Sequence, residues 1–290
     1  MKRIENAYAK INLFLDVTGR LQNGFHEISS VMHSVGLKDT VSLEIFPHSA
    51  ENRISMYIKG NYYLPCNEKN LAYRAAEAFM QAIGERFSLK IGIHKNIPVS
   101  AGLAGGSSDA AAVLKGLNKM KGSPLSLEKL CQVGETLGSD VPFCIMGKTQ
   151  HCTGRGERLS KIPFEKRLNL VVAIGGEHIS TPMAYSKLDE LYEGFEKPRD
   201  NRERLDALIL GIKEKDEKKI VENMYNIFEE AILPLCPEAR EIKEKMLSLG
   251  AIGAMMSGSG PSVFGIFDSY EKAESVALAL GERAYAVTSV

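Results

Sequence analysis

Apolar and polar residues follow two different spacings along the chain, and each spacing predicts one kind of element. Alternation along a short stretch is typical of a strand, whereas apolar residues three and four apart are typical of an amphipathic helix. In the first half, strands are predicted over residues 2–17, 41–46, 53–59 and 89–97. Helices are predicted over residues 71–83, 110–121 and 126–137.

The second half of the chain has a different order of elements, with several helices between short apolar strands. Strands are predicted over residues 168–174, 254–257, 262–267 and 284–290. Helices are predicted over residues 181–192, 205–213, 218–228, 238–249 and 270–280. This order suits an antiparallel sheet covered by helices on one side. We therefore expect two domains, residues 1–160 and 161–290, with a ligand cleft between them.

The stretch PVSAGLAGGSS, residues 98–108, connects a predicted strand to a predicted helix and contains three glycines. Glycine allows positive φ and close approach of a ligand to the backbone, and the first N–H groups of a helix point outward without partners. Phosphate is the natural ligand of such a place. Neither the P-loop pattern nor the G-x-G-x-x-G pattern fits the stretch. It therefore predicts another kind of phosphate-binding loop, with an ordinary glycine-rich turn as the alternative.

The balance of charged residues and the cysteine content limit the kinds of molecule and site that we expect. Lysine plus arginine and aspartate plus glutamate both number 36, so the formal net charge is zero. A neutral chain has no general attraction to nucleic acid or anionic lipid, so phosphate binding requires a local site. The five cysteines form no C-x-x-C pair and predict buried, reduced thiols. With neither a signal-peptide core nor a membrane-spanning apolar run, we expect a soluble cytoplasmic protein.

Four polar residues are candidates for chemistry, and each has a structural alternative. Lys10 and Asn12 lie two apart in the first strand and so share a face, which in a half-buried strand is commonly solvated. His26 follows a turn, and a lone histidine is more often structural than functional. Asp140, just before Val141-Pro142, would serve as the N-cap of a short helix.

Three blocks of sequence together resemble the motifs of the GHMP kinase superfamily, which includes galactokinase and the homoserine, mevalonate and phosphomevalonate kinases. They are AYAKINL at residues 7–13, PVSAGLAGGSSDAAA at 98–112 and SGSGPSVFGIF at 257–267. The resemblance implies an α+β, two-domain GHMP kinase fold. The N-terminal domain would be like domain 2 of ribosomal protein S5 and the C-terminal domain ferredoxin-like, with the active site in the cleft between them.

A closer resemblance lies within the superfamily. The opening AYAKINLFLDVTGRLQNGFHEISSVM, together with LGSDVPF at residues 137–143 and the region of Thr181, is similar to the branch that acts on 4-diphosphocytidyl-2-C-methyl-D-erythritol. The resemblance implies transfer of a phosphoryl group from ATP, with Mg²⁺, to the 2-hydroxyl of that compound. This is a step of the non-mevalonate route to isoprenoid precursors. Both partners would be small molecules, with no nucleic acid and no membrane, and the protein would be a monomer or homodimer.

The resemblance assigns roles at the phosphate end. Asp140 would act as catalytic base towards the acceptor hydroxyl, with Lys10 beside it to keep it ionised and to stabilise the transferred group. Asp109 is expected to cap a helix, and Ser107 to contact the phosphates or Mg²⁺. The residues expected to bind ATP are Pro98, Val99, Ser100, Ala101, Gly102, Leu103, Ala104, Gly105, Gly106, Ser107 and Ser108, with Asn70 and Lys95 near the adenine.

At the cytidine end, the resemblance implies that the base stacks between Phe25 and Tyr185 while His26 hydrogen-bonds its edge. Asn12 would bind substrate hydroxyls or the Asp140 carboxylate, and Thr181 would lie on the diphosphate side. The turn at residues 257–260 would close on the active site, or, taken alone, form a simple hairpin turn.

Three other functions are compatible with part of the pattern. A GHMP kinase for mevalonate, homoserine or a sugar would not need the aromatic residues at the cytidine end. A sensor that binds ligands without turnover would not need Lys10, Asp140 and Ser107. An RNA-binding module is suggested only by the S5-like fold, and the neutral charge counts against it.

Overall fold

The computed structural model describes residues 1–46, 53–60, 62–176, 179–195 and 201–290. These residues form two compact units, each discontinuous in sequence. The first unit comprises residues 1–9, 37–99 and 104–147, and the second comprises residues 10–36, 100–103 and 148–290. The predicted domain boundary at residue 160 remains a prediction.

The strands, in chain order, are β1 (Lys2–Arg20), β2 (His26–Phe46), β3 (Ile54–Lys59), β4 (Ser88–His94), β5 (Thr149–Thr153), β6 (Arg158–Lys161), β7 (Asn169–Ile174), β8 (Tyr225–Asn226), β9 (Gly253–Met256), β10 (Ser262–Phe267) and β11 (Ala284–Thr288). The helices are α1 (Leu71–Ile83), α2 (Gly105–Met120), α3 (Leu127–Glu135), α4 (Val141–Met146), α5 (Thr181–Leu191), α6 (Arg202–Glu214), α7 (Glu217–Asn223), α8 (Phe228–Ile232), α9 (Pro237–Ser248) and α10 (Tyr270–Leu280).

The first unit packs helices α1 and α2 on a sheet formed by β3, β4 and the second half of β2. Strand β4 pairs antiparallel with β2 and parallel with β3. Helix α1 begins where the Asn70 side chain accepts from the N–H of Ala72, and it ends at Gly84, whose φ of 68° suits glycine. Its buried face, which includes Phe79, packs with the alanine-rich face of α2 in one apolar core. This packing fixes the start of α2 against the sheet.

The second unit contains an antiparallel sheet, as the sequence predicts, with its strands in the order β11-β7-β10-β9. A second set of strands is built on β1 and β2: β8 pairs parallel with β1, and β5 pairs antiparallel with β2 and β6. Helices α5, α8, α9 and α10 contribute to a separate apolar core that includes Phe228, Phe267 and Met256. None of the described helices has the length and apolar character needed to cross a bilayer.

Several predicted elements are wrong in extent. Strand β2 runs from His26 instead of Val41, and β4 ends at His94 instead of Ile97. The helix predicted at 110–121 begins at Gly105, so residues 105–109 are helical. The single helix predicted at 218–228 is two helices separated by β8. Cys66 is exposed, contrary to the prediction of buried thiols, whereas Cys152 and Cys236 are buried.

Candidate active site

The glycine-rich stretch 98–108 leaves β4 and enters α2 through an unusual backbone. Ser100, Gly102 and Ala104 all have positive φ, of 54°, 75° and 56°. The Ser108 N–H donates to the Ala104 carbonyl at 2.9 Å and so opens the helical ladder. The N–H groups before it have no acceptor within the helix and carry the positive end of its dipole. A loop followed by such a start is suited to binding an anion.

Two glycines of the loop lie where a side chain would meet close neighbours. In the second unit, a Cβ on Gly102 would overlap the carbonyl oxygen of Ser257, whose own hydroxyl donates to the Gly102 carbonyl at 3.2 Å. In the first unit, a Cβ on Gly105 would lie 2.8 Å from Lys95 Nζ. Within each unit, therefore, the part of the stretch that belongs to it has a close neighbour.

A buried ion cluster lies beneath the start of α2. Lys95 Nζ pairs with Asp39 Oδ2 and lies 3.2 Å from Asp109 Oδ2. The other oxygen of Asp39 accepts from the backbone N–H groups of Asn96 and Ile97, at 2.5 and 2.8 Å. All three charged side chains are at most 5% exposed. The cluster ties the chain before the loop to the first turn of the helix after it.

This cluster corrects the predicted role of Asp109 and gives Lys95 defined contacts. Asp109 does not cap α2, because the N-cap is Ala104 and Asp109 is buried inside the first helical turns. Burial raises the pKa of Asp109, Lys95 lowers it and the nearby Asp39 carboxylate raises it again, so that the pKa reaches about 8 with all three acting. Lys95 pairs with both carboxylates of this buried cluster, and its placement near the adenine stays a prediction.

Lys10 and Asn12 occupy the interior and do not form a solvated face: they are 4% and 1% exposed. Lys10 Nζ donates to Asn12 Oδ1 at 2.7 Å, and Asn12 Nδ2 donates to Ser30 Oγ at 2.8 Å. The Lys10 N–H also donates to the Leu103 carbonyl at 3.1 Å. A Cβ on Gly258 would lie 3.2 Å from Lys10 Nζ. The second unit thus brings Lys10, residues 100–103 and the turn at 257–260 together.

The charge of Lys10 is unusual in its surroundings. Among the described residues of its own unit, no carboxylate forms an ion pair with Lys10 Nζ. A buried cation needs a counter-charge, because desolvation penalises an isolated ion strongly. The hydrogen bond from Lys10 to Asn12 orients the ammonium group. Together with the bond to Ser30, it engages both the oxygen and the nitrogen of the Asn12 amide, which was predicted to bind substrate hydroxyls.

Asp140 precedes α4, a short helix that packs against α2 and α3 in the first unit. It occupies the N-cap position, but its carboxylate accepts no hydrogen bond from the helix. Pro142 occupies the first turn of the helix, where a missing N–H costs nothing. The structural alternative, side-chain capping, is therefore wrong. The predicted pairing of Asp140 with Lys10 joins residues of different units and stays a prediction.

The predicted cytidine-binding residues belong to the second unit, but they do not form an empty slot. The His26 ring is stacked on Tyr185, with centroids 4.5 Å apart and planes at 22°. Phe25 is 56% exposed, and the guanidinium of Arg155 lies 5.3 Å from its ring centre. Stacking of a base on Tyr185 has to use a surface that His26 does not cover.

The remaining predicted residues have defined surroundings. Thr181 Oγ1 lies 3.3 Å from the hydroxyl of Ser259, in the turn at 257–260. Ser108 is buried and donates to the Tyr8 carbonyl at 2.5 Å, which gives its hydroxyl a structural role. Ser107, one position earlier, is half-buried. Asn70 caps α1 and donates to the Pro65 carbonyl at 2.9 Å.

Two residues that position the site were missed in the sequence. Asn226 Nδ2 donates to the carbonyls of Met256 and Gly258, at 2.8 and 2.9 Å, and so shapes the turn at 257–260. Asp189 lies 2.7 Å from His26 Nε2. Asp189 follows Tyr185 by four residues, which places both on one face of α5. This spacing was the signal in the sequence that could have indicated Asp189 as a neighbour of Tyr185. Nothing in the local sequence of Asn226 indicated its partners.

Comparison with known proteins identifies the family. The GHMP kinases N terminal domain matches residues 70–148, and the GHMP kinases C terminal domain matches residues 208–286. The 4-diphosphocytidyl-2-C-methyl-D-erythritol kinase of Caldicellulosiruptor saccharolyticus is 40% identical over 264 residues, covering 91% of this chain and 88% of that protein. The kinase of the same name from Alkaliphilus metalliredigens is 43% identical over 276 residues, covering 95% and 91%.

Solved structures give the same result. A crystal structure of 4-(cytidine 5'-diphospho)-2C-methyl-D-erythritol kinase has a TM-score of 0.81 at 32% identity, covering 100% of this chain and 99% of that chain. Homoserine kinase from Cytophaga hutchinsonii has a TM-score of 0.76 at 20% identity, covering 100% and 94%, and shows a shared fold alone. With both family domains matched and relatives similar over nearly its whole length, the chain belongs to the GHMP kinase family.

Proposed function

We propose that this kinase transfers the γ-phosphoryl group of ATP to the 2-hydroxyl of 4-diphosphocytidyl-2-C-methyl-D-erythritol, a step of the non-mevalonate route to isoprenoid precursors. The observation that carries the proposal is the 40% and 43% identity, over 91% and 95% of the chain, to relatives that bear the name of this activity. The geometry of each unit supports the roles that the reaction requires.

Phosphoryl transfer needs a cradle for the ATP phosphates and a cation for the charge on the transferred group. Residues 98–108 and the N–H groups at the start of α2 are the proposed cradle. Lys10 is the proposed cation, since it is buried without a carboxylate partner in the described part of its unit. A phosphate oxygen would supply the missing counter-charge, and Asn12 would hold the ammonium group in place.

Asp140 is the proposed residue for the acceptor hydroxyl, because its carboxylate is not used to cap α4. It would orient the hydroxyl and accept its proton. In a loose transition state the proton leaves late, so orientation contributes most of the effect. Lys10 would stabilise the charge that develops on the transferred phosphoryl group.

The donor set fits Mg²⁺ as a partner of the nucleotide. No group of three or more His, Cys, Asp or Glu in the described residues could form a metal cage. Mg²⁺ bound with nucleotides takes most of its ligands from phosphates and water, and only one or two from protein. We assign the protein ligand to the hydroxyl of Ser107, in the first turn of α2. When bound, the ion would neutralise charge on the phosphate chain.

At the other end of the substrate, Phe25 is the proposed stacking surface for cytosine, and His26 the residue that hydrogen-bonds its edge. The exposure of the Phe25 ring supports the first assignment. The fixed position of the His26 ring against Tyr185 supports the second. Thr181, next to Ser259 of the 257–260 turn, is the proposed contact for the diphosphate.

The test is ADP release from Mg-ATP with this acceptor, for the wild type and for Asp140→Asn and Lys10→Ala. Each change should lower kcat by about 10²-fold or more, as expected for loss of acid–base or electrostatic catalysis. Asp140→Asn should still bind both substrates. Asp268→Asn, which removes an exposed carboxyl of the second unit, is the matched control and should keep full activity. Near-normal turnover by Asp140→Asn would contradict its assignment.

A further inference from the structure

Asp189 fixes the position of the His26 ring. His26 Nε2 lies 2.7 Å from Asp189 Oδ1, and Arg20 Nη2 lies 3.7 Å from the other carboxylate oxygen. The ring is stacked on Tyr185 and makes a T-shaped contact with Phe195, with centroids 5.6 Å apart. The His26 side chain is only 9% exposed. Its rotation is thus restricted by a hydrogen bond at one edge and by aromatic contacts on its surface.

The bond to Asp189 also sets which ring nitrogen carries hydrogen. An ionised carboxylate only accepts hydrogen bonds, so Nε2 must be the donor. In the neutral imidazole, Nδ1 then bears a lone pair and can only accept. Among the described residues, no protein group bonds to Nδ1 of His26. The side chain therefore offers one oriented acceptor to a ligand.

Such an acceptor distinguishes the two common pyrimidines. Cytosine has an exocyclic amino group, which donates, where uracil has a carbonyl oxygen, which accepts. Nδ1 of neutral His26 can accept a hydrogen bond from the cytosine amino group. It cannot bond to the uracil carbonyl oxygen, because both atoms are acceptors and their lone pairs repel. Once a bound base covers Nδ1, a base that cannot donate to it leaves the acceptor unpaired, and this penalises that ligand.

We propose that Asp189 is a positioning residue that gives the kinase its preference for cytidine over uridine, by holding His26 as the Nε2–H tautomer with Nδ1 towards the base. The inference rests on the proposed function, in which His26 meets the nucleobase. One face of helix α5 would then provide both groups that hold the His26 ring: Tyr185, on which it stacks, and the Asp189 carboxylate. Arg20 keeps the second oxygen of Asp189 engaged.

The tautomer can be measured without any substrate. We would record ¹⁵N NMR of the His26 ring in the full chain at pH 8, for the wild type and for Asp189→Leu. The wild type should show the neutral Nε2–H form, and the variant a mixture of tautomers. A wild-type ring that is Nδ1–H or doubly protonated at this pH would overturn the proposal, whatever the enzyme phosphorylates.

The consequence for selectivity is tested with cytidine- and uridine-linked forms of the same acceptor. Asp189→Asn and Asp189→Leu should lower the ratio of kcat/KM for cytidine over uridine by about tenfold, mainly through KM. Glu190→Gln is the matched control, because Glu190 lies one position further on and pairs with Lys187 on the surface. An unchanged ratio in both Asp189 variants would refute the proposal while wild-type turnover upholds the function. Absence of wild-type turnover with either acceptor would refute the function and the selectivity role with it.

Discussion

Replacing Asp109 by asparagine tests whether the buried cluster beneath the glycine-rich loop holds an extra proton. Lys95, Asp39 and Asp109 would carry a net negative charge if both carboxyls were ionised. Asp39 is the better placed of the two carboxylates, since it accepts two backbone N–H groups as well as the lysine. Asp109 has one buried oxygen, Oδ1, without a hydrogen-bond partner among the described residues. The proton therefore belongs on Asp109.

The magnitude follows from the pKa of Asp109, which is raised from 3.8 to about 8, mainly by burial. Because the folded-state pKa is raised, the stabilisation is complete below the unfolded value and is lost as pH rises towards the folded value. Folding takes up one proton in that interval, so the free energy of unfolding contributed by this group falls by about 1.4 kcal/mol per pH unit. Asp109→Asn mimics the neutral acid and removes this slope.

The assay is urea denaturation of the wild type and Asp109→Asn between pH 6.5 and 7.5. The difference in free energy of unfolding, variant minus wild type, should rise by about 1.4 kcal/mol across this interval. Glu190→Gln, which removes an exposed carboxyl, should show no such change. A difference between Asp109→Asn and the wild type that stays constant with pH would mean that Asp109 is already ionised in the folded protein.

Three further predictions concern the loop, the cytidine end and a buried histidine. Gly102→Ala should raise the KM for ATP. It should also destabilise the fold by about 1–2 kcal/mol because of the positive φ alone, and further because its Cβ would overlap the Ser257 carbonyl. In the same kinetic and denaturation assays Gly19→Ala should have neither effect, since a Cβ there meets nothing within 4 Å. Phe25→Ala should raise the KM for the cytidine substrate about tenfold at similar kcat, whereas Phe25→Tyr, which keeps a stacking surface, should leave KM nearly unchanged. Burial lowers the pKa of His33 from 6.5 to about 4, so its stabilisation is present above pH 6.5 and is lost as pH falls towards 4. Denaturation at pH 7 and 5 should show His33→Gln losing about 2 kcal/mol less than the wild type, and equal losses would disprove this.

Elements with a regular pattern and a local boundary signal could be predicted from the sequence. Helix α1 has the predicted bounds, because Asn70 caps it and Gly84 ends it. Strand β10 and helix α10 also have their predicted bounds. The wider pattern of the second half correctly gave an antiparallel sheet with helices.

The errors arise where tertiary contacts override local preference. The start of α2 contains glycines and serines, which resemble a loop, but the ion pair from Lys95 to Asp109 and the packing of α1 stabilise it as helix. The break between α7 and α8 depends on Asn226, whose side chain bonds to carbonyls some 30 residues away. Such long-range contacts leave no mark in a local window of sequence.

In the candidate site, too, single residues could be picked out from the sequence, whereas their contacts could not. Lys10 was singled out from the first sequence block and Asp140 from LGSDVPF at residues 137–143, and their catalytic roles stay predictions. The geometry of the site could not be predicted, because the bond between His26 and Asp189 spans 163 positions and the stacking of His26 on Tyr185 joins a strand to a distant helix. Alternation alone also predicted a solvated face for Lys10, whereas both faces of β1 are buried there.

ADP release from Mg-ATP with a panel of acceptors tests the central claim most directly. The panel contains 4-diphosphocytidyl-2-C-methyl-D-erythritol, mevalonate, homoserine and galactose, each at the same enzyme and ATP concentration. Turnover with the first acceptor alone, absent in Asp140→Asn, is the result predicted here. Turnover with another acceptor and not the first would keep the kinase fold and the phosphate cradle but contradict the cytidine site. No turnover with any acceptor, alongside measurable ATP binding, would contradict the catalytic assignment itself.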